Sequence, residues 1–227
     1  MVLIILLNCY KMNPTMVHKV EVKKPFILIL YGYPGSGKSV FARSFASEID
    51  NTIHINSDKI EAELGQDIKS EKVVGYMSKE FLGSGFNILL DIDMSKRSQR
   101  KKAKLLAAQA GAKLVTVWLQ IDAESAFARL AKRDKRRTED KYAKNYSRSE
   151  FETVINTSHN PDHEDYVVIS GKHTFKTQKS AVFKKLEDLG ILSPTQTLHK
   201  KIKPELVNLI PQFRGKDGLR RRDISIR

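Results

Sequence analysis

The chain contains a single cysteine, Cys9, among 227 residues, which excludes a disulfide framework and any zinc site built from several thiolates. A reducing, cytoplasmic setting fits that scarcity. Long apolar runs are also missing. The amino-terminal run Met1 to Leu7 stops at Asn8, far short of the roughly 20 residues that cross a bilayer, so no membrane association is expected. It has no basic n-region, and no small-residue cleavage pattern follows it before Lys11, so it does not read as a secretory signal. Residues 1–24 are expected to form a leader, either poorly ordered or adding a short edge strand, with Met12 or Met16 as alternative first residues. Internal repeats and low-complexity segments are absent. Aromatic residues make up only 8%, yet 41% of the chain is hydrophobic and 29% charged, which is ordinary for a globular protein and excludes a wholly disordered one. At this length one core buries roughly 70% of the surface of the unfolded chain without a metal or disulfide staple.

Carboxylates are in short supply: 26 Asp and Glu against 40 Lys and Arg leave a net charge of +14. The excess sits in two blocks. Residues 96–148 hold 16 cations against 5 carboxylates, including Arg129, Lys132, Arg133, Lys135, Arg136 and Arg137; residues 200–227 hold 9 against 3 and include Arg220, Arg221 and Arg222. Such blocks suit RNA or another polyanion, although a solvated, solubilising face has the same composition.

From Pro25 onward, short apolar runs alternate with helical patterns. Phe26 to Tyr31, Ile53 to Ile55, Asn87 to Ile92, Leu114 to Leu119 and Tyr166 to Ile169 read as strands. Lys38 to Ile49, Lys59 to Leu64, a stretch through Glu80, Arg97 to Ala110, Ala123 to Arg133 and Thr177 to Leu189 read as helices, with Gly111 and Gly190 at C-cap positions. Strands apolar on both faces and alternating with helices predict an α/β fold, a parallel sheet covered on both sides in three α/β/α layers. The domain is expected over residues 25–192. Residues 134–164, polar and ending in the turn-rich His159-Asn160-Pro161-Asp162, read as a mobile basic lid. Residues 193–227 read as a basic tail. The six histidines form no convincing metal site, because Pro161 disfavours the helix that would align His159 and His163. Trp118 reads as core.

Gly32-Tyr33-Pro34-Gly35-Ser36-Gly37-Lys38-Ser39 matches G-x-x-x-x-G-K-[ST] in full. A buried strand run leads in, and an amphipathic pattern (Val40, Phe41, Phe45, Ile49) leads out. Backbone N–H groups of such a loop, with the helix N-terminus that begins at Lys38, Ser39 and Val40, cradle phosphates. Lys38 is expected on the β- and γ-phosphates of a nucleoside triphosphate and Ser39 on Mg²⁺.

This opening resembles the AAA-type "predicted kinase" group of P-loop proteins, related to the kinase domains of polynucleotide kinases and, more distantly, to zeta-toxin, adenylate and gluconate kinases. Further matches follow in order over roughly residues 25 to 190: Ile55-Asn56-Ser57-Asp58, Asn87-Ile88-Leu89-Leu90-Asp91, Arg129-Leu130-x-x-Arg133 and Tyr166 to Gly171. The resemblance implies a five-stranded sheet in order 2-3-1-4-5 and an ATP- and Mg²⁺-dependent kinase acting on a hydroxyl. It implies Asp58 as general base, Asp91 as the metal carboxylate, and Arg129 and Arg133 as lid cations.

Each position leaves an alternative open. Asp58 suits a helix N-cap as well as a base. Asp93 lies two residues beyond Asp91 and suits the metal too. Arg136 and Arg137 compete with Arg129 and Arg133, which at four residues apart would share one helix face. Two departures from the family pattern bear on the acceptor: Glu61 stands where polynucleotide-kinase relatives often carry Arg, and Ile92-Asp93 replaces a small residue followed by Thr. The acceptor is expected to be anionic: a small molecule, a nucleotide or a nucleic-acid 5′ end. The alternative is a nucleotide-gated RNA- or ribosome-binding NTPase with no phosphoryl acceptor.

Overall fold

A computed structural model describes residues 22–65, 69–137, 140–162 and 164–193. The chain divides into the units Met1–Thr195 and Gln196–Arg227; the second, and with it the basic tail, lies outside the described residues, as does the leader up to residue 21.

The six residues of β1 (Phe26–Tyr31) are all buried, so the strand is central and covered on both faces. Around it lie β2 (Thr52–Asn56), β3 (Asn87–Asp91), β4 (Lys113–Gln120) and β5 (Tyr166–Ser170). These five strands pair in parallel in the order β2-β3-β1-β4-β5, and an isolated antiparallel bridge joins Val22 to Leu192. The helices are α1 (Lys38–Ala46), α2 (Ser57–Leu64), α3 (Ser70–Gly83), α4 (Arg97–Gln109), α5 (Ala123–Ala131), α6 (Arg148–Thr157) and α7 (Phe175–Asp188). Alternate residues of β1 feed two cores, as the two-residue period of a strand requires. Phe26, Leu28 and Leu30 pack with Phe41 and Phe45 of α1 and Val182, Phe183 and Leu186 of α7. Ile27 and Ile29 pack on the opposite face with Val74 and Leu82 of α3 and Ala103 and Ala107 of α4. Among the described residues no helix is long and apolar enough to cross a membrane.

Parallel strands bring their carboxyl ends to one edge. β1 lies between β3 and β4, so successive connections leave it in opposite directions and open a crevice above its end, where ligands of open α/β sheets bind. The phosphate-loop sequence, Asp58 and Asp91 all follow strands that end at this crevice.

The structure adds one helix and changes one boundary. First, residues 134–164, read from the sequence as a mobile basic lid, contain α6. Ser147 and Glu150 form a reciprocal capping box: the Glu150 N–H donates to Ser147 Oγ (3.3 Å) and the Ser147 N–H donates to Glu150 Oε2 (2.8 Å). Phe151, 1% exposed, then packs with Ala126 and Leu130 of α5 and with Tyr33. Removing that ring in Phe151→Ala is expected to lower stability by about 3–5 kcal/mol, measurable as a fall in the thermal midpoint. Second, α5 stops at Ala131, so Arg129 and Arg133 do not share a helix face. Leu130 is the last apolar residue the helix can bury, and the Arg133 N–H closes a tighter turn onto the Leu130 carbonyl (3.1 Å).

Candidate active site

The Gly-rich loop runs from the end of β1 into α1. Gly35 has φ +82°, and a Cβ there would strike the Ala126 carbonyl oxygen of α5, so the loop is pressed flat and only glycine fits. At the far side, a Cβ on Gly171 would lie 2.7 Å from the Ser36 carbonyl oxygen, which leaves room only for bare backbone. The cap residue of α1, Gly37, has no side chain to occupy the first N–H groups of the helix, and these remain available to an anion. Lys38 folds back over the loop and donates from Nζ to the carbonyls of Gly32 (2.7 Å) and Tyr33 (2.9 Å). Burial lowers its pKa to about 8, against the opposing pull of Asp91 and Asp93.

Asp58 is the second residue of α2 but does not cap it. That role falls to Asn56, whose Oδ1 accepts the Lys59 N–H at 2.9 Å, so the Asp58 carboxylate is left to the cleft. Burial, reinforced by the charges of Asp91 and Glu61, raises its pKa; Arg133 and Lys38 oppose the shift. Asp91 ends β3 at 6% exposure. Burial pushes it up, but hydrogen bonds from His54, Ser39 and Asn56 together with the His54 charge outweigh that push and hold it below the usual carboxylate range. The Asn56 Nδ2 donor lies at 2.6 Å and His54 Nε2 at 3.2 Å. Asp93, more exposed, instead accepts from the Ser95 N–H (2.9 Å) and from Gln99 Nε2 (3.4 Å) in the turn before α4.

Lys38, Ser39, Asp58, Asp91, Arg133 and Tyr146 all face one cleft of about 420 Å³. A second cavity of about 390 Å³ continues on the other side of the loop. It shares Gly35, Gly37, Val40 and Arg133 with the first and adds Arg129, Gly171 and Gln178. Arg129 Nη1 donates to the Gly171 carbonyl (3.0 Å), and Arg133 Nη1 donates to the Lys144 carbonyl (3.1 Å). Of their competitors, Arg137 lines the second cavity, whereas Arg136 is 91% exposed and paired with Asp134.

His54 and Asn56 were not singled out from the sequence as site residues. The available signal was their spacing: two residues apart on a strand they share one face, and Asn56 is the register partner of Asp91. Tyr146, whose phenol burial pushes up in pKa beside Asp58 and Asp93, carried no such signal. Among the described residues no group of three His, Cys, Asp or Glu forms a protein cage for a metal. A Ser39 hydroxyl bonded to one carboxylate is instead the sparse donor set that suits Mg²⁺, which keeps several waters and takes substrate phosphates as ligands.

A glycine-rich loop joining a buried central strand to a helix, in a parallel sheet of order 2-3-1-4-5, defines a P-loop nucleotide-binding protein. The chain belongs to the AAA domain family, whose match spans residues 27–154. Solved structures of similar fold include Kti12 of Chaetomium thermophilum in complex with ADP-AlF3, 18% identical over 74% of this chain and 100% of that one, TM-score 0.57. A gluconokinase from Sinorhizobium meliloti 1021 is 18% identical over 73% and 96%, TM-score 0.51. The Mycobacterium tuberculosis APS kinase CysC in complex with AMPPNP and APS is 16% identical over 72% and 98%, TM-score 0.52. At these identities the likeness is one of fold. No curated protein matches the sequence.

Proposed function

We propose that the protein is an ATP- and Mg²⁺-dependent phosphotransferase that moves the γ-phosphate to a hydroxyl of an anionic small molecule, a nucleotide or a nucleic-acid 5′ end. The observation that carries this reading is the different setting of two carboxylates in one cleft: Asp58, released from capping α2 by Asn56, has its pKa raised by burial, whereas Asp91 accepts hydrogen bonds from Asn56 and His54 that lower its pKa. Opposite shifts in neighbouring acids separate a proton acceptor from a metal carboxylate.

In this reading the triphosphate lies along the loop under Lys38, with the nucleoside toward Arg129 and Gly171 and the acceptor toward Asp58. The acceptor oxygen forms a bond to the γ-phosphorus as the bond to the β,γ-bridging oxygen breaks, and Asp58 takes the hydroxyl proton. Ser39 and Asp91 would hold Mg²⁺, which neutralises phosphate charge when bound. Arg133 lines both cavities, which supports a role for it over the charge of the transferred group.

One observation favours the RNA- or ribosome-binding alternative. On α4, Arg97, Lys101 and Lys104 are exposed at i, i+4 and i+7, with no acidic residue in the first turn. Lys102 is paired with Glu71. Like charges at this spacing repel, and cations near a helix N-terminus oppose its dipole, so a polyanion laid along residues 96–104 would relieve both. Replacing Arg97, Lys101 and Lys104 by Ala is expected to shrink the slope of log K against log salt for a single-stranded oligonucleotide by about 2, read by anisotropy titration.

The deciding experiment offers labelled ATP to 5′-hydroxyl oligonucleotides, nucleotides and sugar phosphates. A labelled acceptor that disappears in Asp58→Asn supports the phosphotransferase. Label released only to water, equally in both proteins, supports the binding alternative and overturns this reading.

A further inference from the structure

Among the described residues the largest fully buried side chain is a charged one, Arg100 on α4, at 1% exposure. Burying a guanidinium is expensive unless every donor finds a partner, and an apolar residue would join two layers at lower cost. Each nitrogen of Arg100 has a hydrogen-bond partner; these partners come from the β3–α4 and α6–β5 connections, and a ring of β1 packs on the guanidinium. Its Nε faces both oxygens of Glu164 (3.0 and 2.9 Å), Nη1 donates to the Met94 carbonyl (2.8 Å) and Nη2 to the Asn160 carbonyl (3.1 Å). The guanidinium carbon also lies 5.1 Å from the centre of the Tyr31 ring, and the Tyr31 hydroxyl donates to Asn160 Oδ1 (2.9 Å). Tyr31 is the last residue of β1 before the phosphate loop.

The segments tied together are the two walls of the cleft on the Asp58 side. Met94, Ser95 and Lys96 line it from the β3–α4 connection; Val154, Thr157 and Ser158 line it from α6. Two more bonds run directly between the walls: the His159 N–H to the Ser95 carbonyl (2.9 Å) and Lys96 Nζ to the Thr157 carbonyl (2.7 Å). The planar fork of Arg100 sits behind both walls and fixes their separation relative to β1, a geometry that a point-charge lysine cannot reproduce.

We infer that Arg100 is a positioning residue that sets the width of the acceptor side of the cleft, acting through the carbonyls of Met94 and Asn160 rather than on substrate. This rests on the phosphotransferase reading for which side takes the acceptor, but not for the clamp itself. The same residue distinguishes the two ends of the site, because the nucleotide side, lined by Arg129, Gly171 and Gln178, has no bond to it.

The test compares wild type with Arg100→Lys, Arg100→Met and Glu164→Gln. By hydrogen exchange, amides of residues 94–96 and 154–162 are expected to exchange at least tenfold faster in Arg100→Met, with residues 32–45 unchanged. In transfer assays with whichever of a 5′-hydroxyl oligonucleotide, a nucleotide or a sugar phosphate the wild type phosphorylates, acceptor KM is expected to rise at least tenfold in Arg100→Lys and Glu164→Gln. The KM for ATP and the release of γ-phosphate to water stay within threefold. Unchanged exchange at the walls, or acceleration spread equally to the phosphate loop and α1, overturns the inference, as does an unchanged acceptor KM in Arg100→Lys. A wild type that phosphorylates none of the three acceptors overturns the phosphotransferase reading instead, and the exchange data then decide the role of Arg100 alone.

Discussion

Lys38→Ala is expected to lower phosphoryl transfer by at least about 10²–10³-fold, the scale on which removal of one preorganised charge-stabilising donor acts. It should also weaken ATP binding in an equilibrium titration. The ammonium donates to the carbonyls of Gly32 and Tyr33 at the mouth of the loop, within reach of phosphate oxygens in the proposed reading. The lowered pKa, about 8, adds a pH signature with a definite sign. ATP favours the protonated amine, so as pH rises through about 8 the free protein gives up the charged form and apparent affinity declines, at most tenfold per pH unit. The decline should be absent in Lys38→Ala. Near-normal turnover in the variant would remove the assignment of the loop as the seat of the chemistry.

Asp58→Asn has a different expected signature: transfer falls by about 10²–10⁴-fold, the usual contribution of a general base, while ATP affinity stays within a few-fold. The substitution should also make the protein more stable at neutral pH. The pKa of Asp58 is raised by burial and by the charges of Asp91 and Glu61, so the folded state binds its proton more tightly than the unfolded chain does. That stabilisation is fully present below the ordinary carboxylate pKa and is lost as pH rises through the raised value. At neutral pH the ionised group is therefore a liability that Asn removes. Chemical denaturation from pH 3 to pH 8 should show this loss in wild type and not in Asp58→Asn. A variant that is both inactive and less stable at pH 7 would instead make Asp58 a structural residue.

The two variants separate binding from chemistry because the residues lie on different elements. Lys38 begins the helix after β1, and Asp58 lies in the helix after β2. The connection between them is Asn56, which caps α2 through Oδ1 and donates to Asp91 through Nδ2. One amide thus joins the helix that carries the proposed base to the strand that carries the proposed metal carboxylate.

Local pattern was a good guide where a feature lies in contiguous residues. The phosphate loop, the five strands and six of the seven helices could be read directly, because a P-loop is a short sequence with its own turn chemistry and a buried strand is a continuous apolar run. The missed helix, α6, has few large aliphatics, and its hydrophobic signal rests mainly on Phe151. The capping pair Ser147 and Glu150 marked its start but competes with many similar patterns in polar segments. The α5 boundary failed for a related reason: Arg129 and Arg133 fit a helical spacing, but periodicity of charge does not hold a helix once the apolar face has ended at Leu130.

By itself, then, the sequence determined the α/β class, the phosphate cradle from Gly32 to Ser39 and the candidate acids, since these depend on neighbours along the chain. The tertiary structure alone decided that Asn56 rather than Asp58 caps α2, that Ser39 bonds Asp91 while Asp93 serves the turn before α4, and that Arg100 is buried rather than solvated. Each of these depends on partners brought together from distant segments and on water excluded from between them. A pKa shift or a buried charge is set by that packing, so one arginine in a row of cations looks like the others until the fold surrounds it.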